Sequence, residues 1–210
     1  MRRNAFGLAR TLLEGNLDLS LSALLDHALS LQPVKTSEFS VFELSEFVYE
    51  RLKAYYADRG VTGPQFESVV NVAHDSLPDF DRRLRAIGEF AKLPEAEALA
   101  AANKRIRNIL KKVEGELPTA IDSSRYTEAA ERELGEAVDA ACNDTDALLR
   151  DRDYVAVLGR LARLRPQVDA FFDKVMVNVD DPAVRNNRLA LLKRLSDRLG
   201  SVAAIEHLSI

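Results

Sequence analysis

A 3.6-residue apolar period runs through almost every segment of this chain, and no segment sustains the apolar–polar alternation of a half-buried strand. The sequence is therefore read as all-α. An amphipathic helix cannot bury its apolar stripe alone, so a chain of such segments must pack helix on helix into a bundle. Its 210 residues suffice for one large domain or two small ones. With 47% apolar and 30% charged residues, the composition supports a packed core rather than disorder.

The periodicity and its punctuation predict about eight to nine helices. The first covers about 3–14 and stops at Gly15-Asn16. It follows Met1, Arg2 and Arg3 with no capping residue, so the chain is read as starting inside a helix of a longer protein. The second takes Asp18 or Ser20 as its cap, carries Leu21, Leu24, Leu25, Ala28 and Leu29, and ends at Pro33. A long helix over about 39–59 buries Val41, Leu44, Val48, Leu52 and Tyr55, and a short one follows Pro64 with Phe66, Val69, Val70 and Val72. The next begins after Pro78, where Asp79 and Asp81 suit the N-terminal dipole, and carries Phe80, Leu84, Ile87 and Phe90. Pro94 opens the sixth. Residues 115–124 are polar, contain Pro118, and read as a loop, the one plausible subdomain seam. Longer helices follow over about 126–150, 154–177 and 183–204. Pro166 kinks or divides the middle one, and Asp180-Asp181-Pro182 starts the last.

No catalytic or metal-binding signature stands out. The glycines are scattered, with no phosphate-cradling spacing. His27, His74 and His207 have no second His or Cys at ligand spacing and are read as surface or half-buried histidines. Cys142 is the only cysteine, which excludes an intrachain disulfide and fits a reduced, cytoplasmic compartment. Its Ala-rich stripe makes it a small core residue rather than a nucleophile. Asp144/Asp146 and Asp180/Asp181 are read as caps and solvated turns. No apolar run is long enough to span a bilayer, and no signal peptide is visible. No residue is assigned a catalytic role or a metal.

The segment AAANKRIRNILKK at 100–112 carries the strongest functional signal. At about 100° per residue, Lys104, Arg107, Asn108 and Lys111 fall on one arc and Ile106, Ile109, Leu110 and Val113 on the other. An apolar face that docks beneath a cationic face that stays wet suits phosphate binding, although a plain surface helix shows the same pattern. The net charge is −4 and the pI about 5.5, so any RNA binding must rest on a local basic patch. Two further basic clusters occur: Arg82, Arg83 and Arg85, and then Arg185, Asn186, Asn187, Arg188, Lys193 and Arg194. Arg188 projects onto the side of Leu192, Leu195 and Leu199 and is read as a structural arginine paired with Asp173 or Asp180. Tyr55 and Tyr56, beside Arg51, Lys53 and Arg59, are candidates to stack on unpaired bases, against an ordinary boundary role.

PDFDRRLRAIGEF at 78–90, AAANKRIRNILKK at 100–112 and DAFFDKVMVNVDDPAVRNNRLALLKRL at 169–195 resemble the C-terminal region of the bacterial glycyl-tRNA synthetase β subunit. RRNAFGLARTLLEGNLDLSLSALL at 2–25 resembles it too, but enters partway through the Asp-Pro-(apolar)-Ala-Leu-Arg-Arg motif that names the DALR anticodon-binding domain. The resemblance implies an all-helical, DALR-type anticodon-binding domain over 1–210, similar to that of arginyl-tRNA synthetases. It implies that the parent is a glycine–tRNA ligase that uses ATP and Mg²⁺ at a site on its α subunit. This stretch is then non-catalytic by itself, holds no cofactor, and recognises tRNA through the glycine anticodon loop. The remainder of the β subunit and the α subunit are its implied protein partners, and no membrane is involved.

Sequence-specific RNA recognition targets unpaired loops, where Asn amides and Arg or Lys donors can read cytosine acceptors while other cations hold phosphates. The RNA-binding residues assigned on this basis are Asn103, Lys104, Arg105, Arg107, Asn108 and Lys111, followed by Arg2, Arg3 and Arg10 on the first helix. Asn103 and Asn108 are the base readers if exposed; the alternative is that they bond neighbouring helix ends and hold the fold. The rival function, favoured by the net acidity, is a helical protein-interaction scaffold within the synthetase. An all-α enzyme would require a pocket with perturbed titratable groups.

Overall fold

The computed structural model describes residues 2–32, 40–72 and 75–208. Among these residues the secondary structure is helical throughout. The α-helices are α1 (Arg2–Glu14), α2 (Leu21–Ser30), α3 (Val41–Ala57), α4 (Gly63–Val70), α5 (Leu77–Phe90), α6 (Ala96–Leu110), α7 (Ala129–Arg150), α8 (Tyr154–Ala162), α9 (Arg165–Lys174) and α10 (Pro182–Leu199). Short 3-10 turns lie at Ser123–Arg125 and Ile205–Leu208. The ten helices exceed the expected eight to nine, chiefly because Pro166 divides rather than kinks its segment. Its ring sits in the first turn of α9, where the missing N–H costs nothing, and α8 ends before it. Pro33, Phe39 and His74 lie outside the described residues, as does the side chain of Arg2.

Local chemistry explains the boundaries. Ser20 caps α2 by accepting from the Ala23 amide. Ser40 with Glu43 and Thr62 with Gln65 form capping boxes on α3 and α4. Ser76, rather than a residue after Pro78, caps α5 by accepting from the Asp79 amide. Asp153 and Asp181 cap α8 and α10. Asn16 takes a positive φ of 46° just past α1, a conformation its short polar side chain tolerates.

One core cluster links buried residues from Ala9 to Ile205. Helix α5 packs on α1, α4 and α8, and α7 packs on α8, α9 and α10. Tyr49, Tyr56, Phe66 and Phe80 meet at tilted or edge-to-face angles with centroids 5.2–6.2 Å apart. The buried side of α3 is rotated from expectation: Tyr49 and Tyr56 are buried with Val48 and Leu52, while Tyr55, Val41 and Leu44 are only half-buried.

Both extra basic clusters are structural. Arg83 donates to Asp79 at 2.7 Å, to the Ser201 and Val202 carbonyls at 2.9 and 2.8 Å, and to the Tyr154 hydroxyl at 3.0 Å. Tyr154 in turn donates to Asp79 at 2.6 Å. Burial and then that hydrogen bond push its phenol up to about 12, so it stays a neutral donor. Arg82 donates to Asn16, and Arg85 pairs with Asp81.

On α10, Lys193, Arg194 and Arg198 pair with Asp197, Asp139 and Asp146. Asn187 bonds both ways with the backbone of Asp122, tying the 115–124 stretch to α10. Arg188 is buried and paired, but its partner is Glu131 at 2.5 Å rather than Asp173 or Asp180. It also donates to the Met176 carbonyl and the Thr127 hydroxyl. α10 packs against α7, which brings Glu131 to it, whereas Asp173 and Asp180 stay exposed.

Candidate nucleic-acid interface

Helix α6 follows its sequence pattern closely. Ile106 is fully buried, and Ile109, Leu110 and Val113 are partly buried against the core. That face seats α6 on α9, α10 and the Ile205–Leu208 turn. Lys104, Arg105, Arg107, Asn108, Lys111 and Lys112 are exposed.

The six residues assigned to RNA on this helix separate into distinct environments. Lys104, Asn108 and Lys111 reach solvent with no ion pair or hydrogen bond to another described side chain. Asn108 lies four residues from Lys104 and three from Lys111, so the three form one continuous edge. Arg107 is half committed, since its Nε lies 2.9 Å from Glu206 Oε1. Arg105 carries no ion pair with a described residue and lies over the Phe172 ring of α9, with Cζ 4.1 Å from the centroid. Asn103 is fully buried, and its amide donates to Glu206 Oε2 at 3.0 Å. This removes Asn103 from the base readers. Its position off the basic arc turns it toward the C-terminal turn, where Glu206 bridges it to Arg107.

The first-helix residues sit elsewhere. Arg10 pairs with Glu14 at 2.6 Å, and Arg3 lines a shallow groove with Phe6, Glu50, Arg51 and Ala54. α1 packs on α3 and α5, different elements from those that carry α6. Tyr56 is excluded as a stacking residue because it is buried and donates to Asp81 at 2.8 Å. Tyr55 is covered on one face by Arg59, 3.5 Å from its centroid. One neighbour of the basic edge escaped sequence reasoning: Phe172 lies on another helix and gave no local signal.

A groove of about 810 Å³ runs past Tyr55, Tyr56, Asp81, Leu84 and Val155. Burial and then the Asp81 charge hold the Tyr56 phenol far above its ordinary value. That makes it a fixed donor rather than a group titrating near neutrality, as acid–base catalysis needs. Among the described residues no cluster of three His, Cys, Asp or Glu side chains is placed to hold a metal ion. None of the described helices is long and apolar enough to cross a membrane.

The fold and this edge define a class: a helical module that presents unneutralised cations and an amide on one docked helix. The DALR anticodon binding domain family matches residues 99–205, about half of the chain, starting within α6, and the chain belongs to that family. It is 60% identical over 216 positions to the glycine–tRNA ligase beta subunit of Xanthomonas campestris pv. campestris (strain B100), covering all of this chain and 31% of that protein. It is 46% identical to the beta subunit of Xylella fastidiosa (strain M12), covering all of this chain and 33% of that protein. For the Pseudomonas aeruginosa (strain LESB58) beta subunit the identity is 48%, over 98% of this chain and 30% of that protein. The chain thus spans about a third of the length of these relatives.

Proposed function

We propose that this chain is the tRNA-recognition module of a glycine–tRNA ligase β subunit and that it reads the glycine anticodon. The observation that carries this reading is the free edge of α6. Among the described residues most other cations that the sequence clusters are committed to carboxylates or carbonyls, while Lys104, Lys111 and Lys112 are not. The family match opens on the same helix. Phosphates of an unpaired loop bind the lysines, and Asn108 reads a base edge beside them. Glycine activation with ATP and Mg²⁺ is assigned to the α subunit, with this chain contributing recognition in the cytoplasm.

The test is fluorescence anisotropy with a labelled glycine anticodon hairpin, beside the same hairpin with both anticodon cytosines replaced. The cytosine hairpin is expected to bind more tightly, and equal affinity for the two would overturn anticodon reading. Four to six phosphate contacts are expected to give a log–log salt slope of about −3 to −4.

The two asparagines are expected to behave in opposite ways. Asn103→Ala lowers stability by about 1–2 kcal/mol in urea denaturation, because Glu206 loses a buried donor, and leaves the hairpin preference intact. Asn108→Ala shifts stability by less than about 0.5 kcal/mol and removes the preference. The reverse pattern would reassign both residues.

A further inference from the structure

Among the described residues four arginines lie over aromatic rings: Arg51 on Phe47, Arg59 on Tyr55, Arg83 on Tyr154 and Arg105 on Phe172. Three of these guanidinium groups are already committed. Arg51 donates to Glu50, Arg59 to the Tyr55 carbonyl, and Arg83 to Asp79 and the Ser201 and Val202 carbonyls. Arg105 is exposed and, alone of the four, makes neither a hydrogen bond nor an ion pair with another described residue.

Its ring partner is anchored to the core. Phe172 packs edge-on against Phe171, with centroids 5.6 Å apart and planes at 84°, and Phe171 is fully buried. A planar cation resting over an anchored ring, with Cζ 4.1 Å from its centroid, has lost rotamer freedom before any ligand arrives. The guanidinium lies over Phe172, and the residue as a whole is exposed to solvent. Asn108 follows three residues later on α6 and is therefore its neighbour on the helix surface.

We propose that Arg105, stacked on Phe172, is a shelf that receives one unpaired nucleobase of the bound RNA. This rests on the reading of α6 as the RNA-binding edge and adds a distinct role to it. The base lies on the free face of the guanidinium in a Phe–Arg–base stack, with its edge turned to the Asn108 amide. Guanidinium planes and aromatic rings are the usual supports for splayed bases, because every base offers a π-face. Lysine supplies the same charge without the plane, so Arg105→Lys separates stacking from phosphate binding. Phe172→Leu keeps an apolar side chain and removes the ring that holds the plane.

The experiment is a coupling cycle in the full 210-residue chain. Wild type, Arg105→Lys and Phe172→Leu are titrated against the glycine anticodon hairpin and against a set in which each loop base in turn is made abasic. Circular dichroism checks that each variant folds. At one loop position, base removal is expected to weaken wild type about tenfold. The same removal leaves both variants unchanged, because their stack is already lost. The salt slope of Arg105→Lys matches that of wild type. If every abasic position weakens wild type and Arg105→Lys equally, the shelf is overturned. If the coupling persists but the cytosine-replaced hairpin binds as tightly, the shelf stands and anticodon reading falls. If wild type binds neither the hairpin nor a single strand of the same loop sequence, both fall.

Discussion

Arg188→Ala is expected to lower the unfolding free energy by about 3–5 kcal/mol, the range for removing one partner of a buried ion pair. The Arg188 and Glu131 side chains are 5% and 1% exposed. Removing the guanidinium strands the Glu131 carboxylate and leaves the Met176 carbonyl and Thr127 hydroxyl each short of a donor. The damage reaches three places at once: α10, the start of α7, and the segment after α9. Urea denaturation at neutral pH measures it, and a loss below about 1 kcal/mol, the size of an exposed pair, would sink the assignment.

The same pair sets part of the acid sensitivity. Burial alone pushes the Glu131 carboxyl up, but the Arg188 hydrogen bond and the amides of Glu128 and Thr127 outweigh it. The carboxyl is held below its ordinary value. A group lowered in the folded state stabilises fully above its unfolded pKa and loses that contribution as pH falls through the folded one. Stability is therefore expected to fall on the acid side of the ordinary carboxylate range, with a shallower acid limb in Glu131→Gln.

The largest functional effect is expected from Lys104→Ala combined with Lys111→Ala. Each lost phosphate contact on a single strand reduces the log–log salt slope by about 0.7, so the pair reduces it by about 1.4. At ~0.1 M salt the same relation corresponds to a loss of about 25-fold in hairpin affinity. Among the described residues neither lysine has a carboxylate partner to strand, so stability is expected to change by less than about 0.5 kcal/mol. An unchanged salt slope would mean that the RNA sits elsewhere, and the scaffold role would then take precedence.

The placement of α6 shows what was legible in the chain. A helical period specifies a docked face wherever apolar residues recur at three and four, and Ile106, Ile109, Leu110 and Val113 turn inward as that rule requires. The exposed cations on the opposite arc follow from the same geometry. Pro166 was legible as an interruption, but whether a proline bends a helix or starts a new one depends on what the flanking turns pack against. The rotated face of α3 has a similar origin. Tyr49 and Tyr56 turn inward because Phe66 and Phe80, on other helices, offer edges to stack on.

By itself the sequence determined the all-helical class, the approximate extent of most helices, the buried cysteine and the wet basic edge, because each is set by residues within a few positions of one another. Tertiary structure decided which of the cations remain free. Arg83 and Arg194 look like Lys104 and Lys111 in a linear reading, yet they meet Asp79 and Asp139, and their charge is spent within the fold. Arg188 reads as a structural arginine from its leucine-side position, but only the packing gives its partner, Glu131. It also turned Asn103 away from solvent toward Glu206, 103 residues distant in sequence, and set Phe172 beneath Arg105. Those pairings join residues that no local periodicity relates, and only the packing of helix on helix brings them within contact distance.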